Sequence, residues 1–469
     1  MSAYKKLLKN SGIFAIANLG SKLISILFIP YYTYVLSIVE YGTIDMINTS
    51  ISLILPLITL SIFDATLRFT VKSRYSNKDI FSSSIIVILI ANIIVLLLYP
   101  ILIKISFLKN ILGLFYIIIL VQSINVVIAQ FTRGIGMVKQ FAINGIINTF
   151  ILVISNIILL SYFNMGIKGY FISVILAYML STLYLIISTK IWKLCSFKNI
   201  NITIIKEMIR YSIPLIPNSL MWWIMNASDR YAITMFMGVA ANGLYAVAYK
   251  IPTILNLLYS IFSQAWQLSA IEEGESKNKS EFYTNVFKVF SVVMFIGTSF
   301  ILMIIKPIIE IVLSTEFKNC WRYVPFLLLA VVFTSFSSFL GTNYIAMKET
   351  KGVFKTSLIG AILNIILNLI LIPLIGLNGA AIATMISFFI VWVIRICDTK
   401  KFVIIKIDFK TLIITLIIIF IQIATLYMKS KYYFIIELLL VIIIIFVNKS
   451  TLFDIINGAL EFIKNKKVR

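Results

Sequence analysis

The sequence predicts an all-α integral membrane protein with about fourteen transmembrane helices. Of its 469 residues, 61% are hydrophobic and only 13% are charged, and the mean hydropathy is +1.02. Apolar runs of about 20 residues, long enough to cross a bilayer, recur along the whole chain. Because lipid offers no partner for backbone amides and carbonyls, each run is predicted to be a helix.

The predicted spans are joined by short loops that leave no room for a folded soluble domain. A basic segment precedes the first span, as in a signal peptide, but the apolar run lacks a small-x-small cleavage site and is predicted to be retained. The spans are 11–36, 42–70, 80–105, 111–132, 140–163, 167–191, 209–237, 243–268, 283–305, 325–347, 353–375, 377–398, 409–427 and 432–448.

Basic residues outnumber acidic residues by 41 to 18, which gives a net charge of +23. They cluster in alternate loops, as expected for cytoplasmic loops; one such group contains Arg395, Lys400 and Lys401. The pattern predicts a multi-pass protein with both termini in the cytoplasm. Nucleic-acid binding is disfavoured because no groove-reading module accompanies the charge.

The residues that usually hold metals are nearly missing from the sequence. It contains no histidine and three scattered cysteines, Cys195, Cys320 and Cys397, without CxxC spacing. The cysteines are predicted to be reduced apolar residues. No metal or other cofactor is predicted, and a coupling ion, H⁺ or Na⁺, would need a carboxylate because histidine is missing.

A weak internal repeat predicts two similar halves. Gly166-Ile167-Lys168-Gly169 connects spans five and six, and Gly376-Leu377-Asn378-Gly379 connects spans eleven and twelve. The predicted ranges are an N-terminal six-helix lobe (1–195), a C-terminal six-helix lobe (196–400), and two further helices with a basic tail (401–469). The alternative is that glycine simply favours tight turns.

Four cations lie within apolar spans one, two, seven and eight: Lys22, Arg68, Arg230 and Lys250. A charge in a span costs roughly 3 kcal/mol or more, so such residues usually face a water-filled pathway. They predict a central cavity that carries an anionic substrate. Arg68 has the alternatives of snorkelling or of pairing with Asp64 at i, i+4.

Two carboxylates in these spans, Asp64 and Asp229, are the candidates for a coupling-ion site. Asp229 and Arg230 are neighbours about 100° apart on a continuous helix, so they cannot fully share one face. Asp229 is therefore expected to pair with Lys22 or Lys250 across the cavity. Such a pair would exchange a proton or Na⁺ during transport.

Polar and aromatic stripes run along the same spans at helical spacing. They are Asn18-Ser21-Lys22-Ser25 in span one, Asn218-Trp222-Asn226-Asp229 in span seven and Tyr245-Tyr249-Pro252-Asn256 in span eight. We predict that they line the cavity. The polar residues of spans five (Asn144, Asn148) and eleven (Asn364, Asn368) are instead predicted to be interhelical packing contacts.

Five of the nine prolines, Pro30, Pro56, Pro214, Pro217 and Pro252, lie in spans one, two, seven and eight. Proline removes a backbone donor and kinks a helix. We therefore expect bends in these spans, of use in opening and closing a gate. Tolerance of proline near helix starts is the alternative for Pro214 and Pro217.

Several short motifs carry a family resemblance. They are Glu40-Tyr41-Gly42, Ser212-Ile213-Pro214, Asp229-Arg230-Tyr231, the stretch 243–251, Gln264-Ala265-Trp266 and Gly376-Leu377-Asn378-Gly379-Ala380-Ala381. In their order and spacing the chain resembles the polysaccharide transporter family, the Wzx-type O-antigen and capsule flippases. These belong to the MOP superfamily with the MATE exporters and the lipid II flippase.

The resemblance implies two six-helix lobes around a cavity, two extra C-terminal helices and alternating access in the bacterial cytoplasmic membrane. The implied substrate is an oligosaccharide linked through pyrophosphate to undecaprenol, moved to the outer leaflet for surface polysaccharide synthesis. The four cations would bind its pyrophosphate. Membrane lipids and other polysaccharide-assembly proteins are the further expected partners. The glycan would meet Asn18, Trp222, Asn226, Tyr245, Tyr249 and Asn256.

Two other functions remain as alternatives. A MATE-type antiporter of drugs or cations should have a net acidic cavity, whereas here the cations outnumber the carboxylates. A membrane glycan polymerase or glycosyltransferase needs a catalytic acid or base on a sizeable outer loop. The outer loops are short, and only the region of Glu310 and Glu316 offers candidates.

Overall fold

The structure, a computed structural model, describes residues 20–71, 75–105, 107–194, 201–272, 279–347, 349–428, 432–454 and 457. Within these ranges the regular structure is helical and contains no strand. The α-helices are α1 (Ile29–Val35), α2 (Ile38–Ile58), α3 (Ile62–Val71), α4 (Asn77–Leu97), α5 (Tyr99–Leu102), α6 (Leu112–Gly134), α7 (Val138–Asn156), α8 (Gly166–Thr189), α9 (Ile202–Ser212), α10 (Ile216–Ala227), α11 (Asp229–Met237), α12 (Val239–Lys250), α13 (Thr253–Glu272), α14 (Lys279–Val312), α15 (Val324–Ala346), α16 (Thr350–Ile375), α17 (Leu377–Thr399), α18 (Phe409–Tyr427) and α19 (Tyr433–Val447).

Ten of the described helices are long and apolar enough to cross a membrane. An eleventh span is obtained if α12 and the first part of α13, which meet at a 43° bend, count as one. The predicted class, an all-α multi-pass membrane protein, is confirmed. The predicted count of about fourteen spans is not, because several predicted spans are broken or short.

Breaks fall in spans one, two, three, seven and eight, and prolines accompany them. In span three, α4 ends at Leu97 and α5 follows with Pro100 in its first turn. Span one restarts at α1 with Pro30 in its first turn. Span two stops at Ile58, shortly after Pro56. Span seven is divided into α9, a 3-10 turn, α10 and α11, with Pro214 and Pro217 at the junctions. Pro252 lies at the bend between α12 and α13.

The chain packs into two compact units. The first comprises Met1–Trp223 and Gly238–Ala246, and the second comprises Ile224–Met237 and Val247–Arg469. In the first unit α9 packs through Ile204 and Met208 on Ile62, Ala65 and Ile80 of α3 and α4. The three ranges predicted from the sequence divide the chain differently, before α9, and stay a prediction.

In the first unit, α2 and the start of α12 approach at two glycines. A Cβ on Gly42 would lie 2.1 Å from the Val239 carbonyl oxygen, and one on Gly243 would lie 2.1 Å from the Ile38 carbonyl oxygen. Asn242 Nδ2 donates to Gly42 O at 3.2 Å. Small residues allow such backbone contact between membrane helices.

The glutamate of Glu40-Tyr41-Gly42 caps α2. Ser37 Oγ accepts from the Glu40 N–H at 3.3 Å, and Glu40 Oε2 accepts from the Ser37 N–H at 3.0 Å. This reciprocal capping box fixes where α2 begins. The motif therefore has a structural explanation in helix capping and in the glycine contact that follows.

Arg395, grouped with the cytoplasmic loop cations although it falls within predicted span twelve (377–398), is a buried residue of α17, so the grouping with loop cations is wrong. Its side chain is 1% exposed. The guanidinium donates to Ser337 O at 2.8 Å, Thr356 Oγ1 at 3.0 Å and Ser357 Oγ at 3.2 Å. These acceptors on α15 and α16 replace the water molecules that would otherwise solvate the cation.

Three of the four asparagines predicted to be interhelical contacts bond across helices. In the first unit, Asn144 Oδ1 accepts from Asn125 Nδ2 at 3.4 Å and Asn148 Nδ2 donates to Ser181 Oγ at 3.3 Å. In the second, Asn364 Nδ2 donates to Thr384 Oγ1 of α17 at 3.4 Å, whereas Asn368 Nδ2 donates to Asn364 Oδ1 within α16 at 3.0 Å. These residues therefore serve as packing contacts.

Candidate functional site

A polar cluster in the second unit contains three of the predicted site residues of span seven. Arg230 Nη1 lies 3.1 Å from Asp229 Oδ1 and donates to Asn226 O at 2.9 Å. Asp229 is 1% exposed and Arg230 is 7% exposed. The Arg230 guanidinium also lies over the Tyr249 ring, 4.4 Å from its centroid. The cation is therefore held by a carboxylate, a carbonyl and an aromatic face.

The pairing of Asp229 with Arg230 depends on a break in the helix. α10 ends at Ala227 and α11 begins at Asp229. The Asp229 and Arg230 side chains therefore lie in the first turn of α11, not within a continuous helix. Asp229 Oδ1 also accepts the Arg230 backbone N–H at 3.0 Å. The 100° separation expected of neighbours in a continuous helix therefore does not keep their side chains apart.

A small polar cavity of about 30 Å³ lies beside this cluster. Three predicted glycan contacts line it, Asn226, Tyr249 and Asn256, together with Pro252 at the bend. Thr334 and Thr384 add hydroxyls. The volume suits a water molecule rather than a sugar ring. In this conformation the cavity is too small to hold a sugar.

A larger cavity of about 490 Å³ lies in the first unit, between α3 and the region of α9 and α10. It brings together Asp64 and Arg68, which the sequence predicts as coupling-ion and pyrophosphate residues. No ion pair joins them within the described chain, which removes the alternative that they simply neutralise each other. Tyr211, Asn218 and Ser219 supply further polar atoms. A cavity of this size accommodates a phosphate or a sugar.

One feature of this cavity and one feature of the turn that precedes α3 point to a ligand-binding role. Asn218 Oδ1 is buried and has no hydrogen-bond partner among the described residues. The turn before α3 places Leu60 and Ser61 at φ of 50° and 49°. Non-glycine residues rarely adopt this conformation, and such strain concentrates at functional sites. Tyr211 and Ser219 were missed by the sequence predictions, although Tyr211 lies seven residues before Asn218, a spacing that places two residues on one helix face.

The remaining predicted site residues lie outside these two cavities. Lys22 is exposed in a helical stretch, 20–27, of the first unit, and Lys250 is exposed at the end of α12. Trp222 is half-buried, whereas Tyr245 is completely buried. Asn18 lies outside the described residues. Tyr245 in this conformation is a packing residue, and the ligand roles of the others stay predictions.

The broken helices and the polar cavities within apolar spans define the chain as a multi-pass membrane protein of the transporter class. Residues 7–267 match the family described as polysaccharide biosynthesis protein. The match covers more than half of the chain. The chain therefore belongs to this family.

Relatives with similar sequences match the chain over part of their length. The probable low-salt glycan biosynthesis flippase Agl15 of Haloferax volcanii is 26% identical over 219 residues, 46% of this chain and 45% of that protein. An uncharacterized membrane protein of Methanocaldococcus jannaschii is 27% identical over 221 residues, 44% of this chain and 49% of that protein. The matched segments thus span about half the length of these relatives.

Solved structures show the same fold across nearly the whole chain. The lipid II flippase MurJ in an inward closed conformation matches with a TM-score of 0.74 and 17% identity, over 94% of this chain and 99% of that one. A MATE structure matches with a TM-score of 0.61 and 12% identity, over 85% and 95%. At these identities the likeness establishes the fold that the chain shares with these structures.

Proposed function

We propose that this protein is a flippase for lipid-linked oligosaccharides. It carries repeat units on undecaprenyl pyrophosphate from the inner to the outer leaflet of the cytoplasmic membrane, for surface polysaccharide synthesis. Support comes from the family, from a relative named as a glycan biosynthesis flippase, and from the fold shared with a lipid II flippase.

One structural observation carries the proposal. Spans one and two of the predicted first half and seven and eight of the second, which are corresponding positions, are all interrupted, and span three is also interrupted, between α4 and α5. Interrupted helices at corresponding positions of two repeats are the best sequence-level pointer to a transporter binding site. The same four spans hold the buried ion pair and the cavity of Asp64 and Arg68.

The two cavities suggest different roles for the cations. Arg68 is exposed in a cavity of suitable size and forms no ion pair with Asp64, so its donors are available to a pyrophosphate. Arg230 is already held by Asp229, so it contributes to binding only when the cluster rearranges. Lys22 and Lys250 are exposed and would attract the substrate at other stages of the cycle.

The test is the effect of neutral substitutions on transport by the purified protein. The assay follows a short-chain polyprenyl-pyrophosphate disaccharide moved across proteoliposomes. We expect Arg68→Gln to slow transport about 10-fold or more, because a hydrogen bond to a charged group is worth roughly 1.5–3 kcal/mol. Lys22→Gln and Lys250→Gln are expected to give smaller losses.

The control is Lys168→Gln, which removes an exposed cation from the first turn of α8. It should transport at the wild-type rate. If Arg68→Gln, Lys22→Gln and Lys250→Gln all match this control, these cations do not bind the pyrophosphate. If the wild-type protein moves no lipid-linked saccharide at all, the flippase proposal itself is wrong.

A MATE-type exporter of organic cations is the second candidate, because MATE structures share the fold. It predicts that a deletion strain becomes sensitive to cationic drugs and keeps its surface polysaccharide. The flippase proposal predicts the reverse. The two measurements on one strain therefore separate the candidates.

A further inference from the structure

A carboxylic acid lies completely buried in α19, far along the chain from the predicted coupling residues. Glu437 of α19 is 0% exposed. Its Oε2 accepts from Gln422 Nε2 of α18 at 3.0 Å, and its Oε1 contacts Thr425 Oγ1. No ion pair to Glu437 occurs among the described residues. A buried carboxyl without a cationic partner marks an intramembrane acid as a functional candidate.

The hydrogen bonds of Thr425 indicate whether the carboxyl group of Glu437 is ionised or neutral. Thr425 Oγ1 lies 2.8 Å from the Gln422 carbonyl oxygen and also contacts Glu437 Oε1. The hydroxyl has one hydrogen. If Glu437 were ionised, Thr425 would have to share its one hydrogen between these two oxygens. If Glu437 is neutral, Thr425 donates to the carbonyl and the Glu437 hydroxyl donates to Thr425 Oγ1.

Two further oxygens in the same cluster have no partner. Gln422 Oε1 and Ser299 Oγ of α14 are buried and make no hydrogen bond within the described chain. Gln422 Nε2 reaches the Ser299 carbonyl oxygen at 3.4 Å, so α14, α18 and α19 meet at this point. Unsatisfied buried oxygens are costly. Their presence beside a carboxyl indicates that the cluster has another arrangement, in which these oxygens form hydrogen bonds.

Other titratable groups near this junction make their contacts with groups other than Glu437. The Tyr433 hydroxyl on α19 donates to the Met303 carbonyl oxygen at 2.9 Å. The Lys306 ammonium on α14 lies 5.4 Å from the centroid of the Tyr433 ring and 5.1 Å from that of Trp321. Tyr427 on α18 donates to the Arg322 carbonyl oxygen, and Glu310 on α14 is exposed. Glu437 is thus held by neutral groups.

Building on the proposed flippase function, we propose that Glu437, Thr425, Gln422 and Ser299 form a proton-binding site that couples transport to H⁺. The site binds its proton in the closed packing of α14, α18 and α19. Losing the proton would leave a buried charge, which is strongly disfavoured. Release therefore requires α18 and α19 to separate from α14, and protonation favours the packed state.

A route for the proton is suggested at one end of the same three helices. A cavity of about 110 Å³ is lined by Lys288, Lys406, Asp408, Thr415 and Asn448. Asn448 Nδ2 donates to Thr415 Oγ1 at 3.2 Å. Thr415 lies seven residues before Gln422, about 10 Å along α18. The buried Ile419 lies between them on the helix and would have to move for water to enter.

The first experiment measures the proton directly. Infrared spectra of the purified wild-type protein at neutral pH should show the carbonyl stretch of a protonated carboxylic acid, shifted in D₂O. The difference spectrum against Glu437→Gln should show that this band is lost. Glu310→Gln, which removes an exposed acid of α14, is the matched control and should retain it. A band that persists in Glu437→Gln would overturn the assignment.

The second experiment measures coupling with the short-chain polyprenyl-pyrophosphate disaccharide in proteoliposomes. An imposed pH gradient should change the wild-type rate several-fold, whereas Glu437→Gln should transport at a rate independent of the gradient. Glu310→Gln should respond like the wild type. A gradient response that survives in Glu437→Gln would show that the proton is bound elsewhere, for example at Asp64 or Asp229.

The two experiments test proton binding and flippase activity independently of each other. If the wild type moves no lipid-linked disaccharide, the flippase proposal is wrong, while the infrared band still tests proton binding. If Glu437→Gln does not fold, Thr425→Val replaces it. That variant removes the acceptor of the Glu437 proton, so the band should move in frequency. An unmoved band would overturn the arrangement.

Discussion

At the scale of single residues, the most informative pair is Asp229 and Arg230. Both are buried, and the guanidinium is held by a carboxylate, a backbone carbonyl and the Tyr249 ring. Removing one member of a buried pair leaves the other charge poorly compensated, which costs about 3–5 kcal/mol. The pair is therefore expected to be sensitive to single changes and less sensitive to a double change.

We expect Asp229→Asn and Arg230→Gln each to lower the free energy of unfolding by about 3 kcal/mol or more, and the double variant to lose less than the sum of the two. Denaturant unfolding of the purified protein in detergent measures this. The control is Asp454→Asn, because the exposed Lys288–Asp454 pair at 3.8 Å should contribute less than about 1 kcal/mol. Additive losses at Asp229 and Arg230 would contradict a coupled pair.

At the scale of elements, the contact between α2 and α12 within the first unit depends on two glycines. The Cβ of an alanine at either position would lie 2.1 Å from a backbone carbonyl oxygen, at Val239 or at Ile38. A backbone carbonyl oxygen in a helix cannot rotate away from a clash as a flexible side chain can. The two helices would therefore have to separate. This contact involves the Glu40-Tyr41-Gly42 motif and the corresponding glycine in the stretch 243–251.

Gly42→Ala and Gly243→Ala are each expected to destabilise the protein by about 1–3 kcal/mol through overpacking and to reduce transport. Gly145→Ala is the matched control, because no atom lies within 4 Å of a Cβ added to this glycine of α7. Alanine is a better helix former by about 1 kcal/mol, so this variant should melt at an equal or higher temperature. A melting temperature unchanged by Gly42→Ala would show that the close approach is not maintained.

Proline explains why the spans with the predicted site residues are broken. Pro252 separates α12 from α13 at the 43° bend, and Pro56 precedes the break before α3. Each removes a backbone donor that a straight helix needs. The sequence therefore predicted the bends in these four spans, but not the break between α4 and α5 in span three. It did not predict the positive φ of Leu60 and Ser61, because these residues have no local preference for that conformation.

At the scale of the whole molecule, the orientation in the membrane stays a prediction. The clustering of lysine and arginine in alternate loops places both termini in the cytoplasm. A fluorescent protein fused after Arg469 should therefore fluoresce, and alkaline phosphatase fused there should be inactive. Phosphatase fused in the turn at Gly166 should be active. The opposite pattern would reverse the predicted topology.

The sequence by itself determined the class of protein, because the hydrocarbon core requires long apolar helices whatever their neighbours are. It also identified the four unusual spans and Asp64 with Arg68, since an ionisable residue in a span is conspicuous without any structure. Only the tertiary structure showed that Asp229 pairs with Arg230, that Arg395 is buried, and that Glu437 meets Gln422 and Thr425. Those contacts depend on helix breaks and on which helices pack together, and neither hydropathy nor helical periodicity encodes the partner of a buried charge.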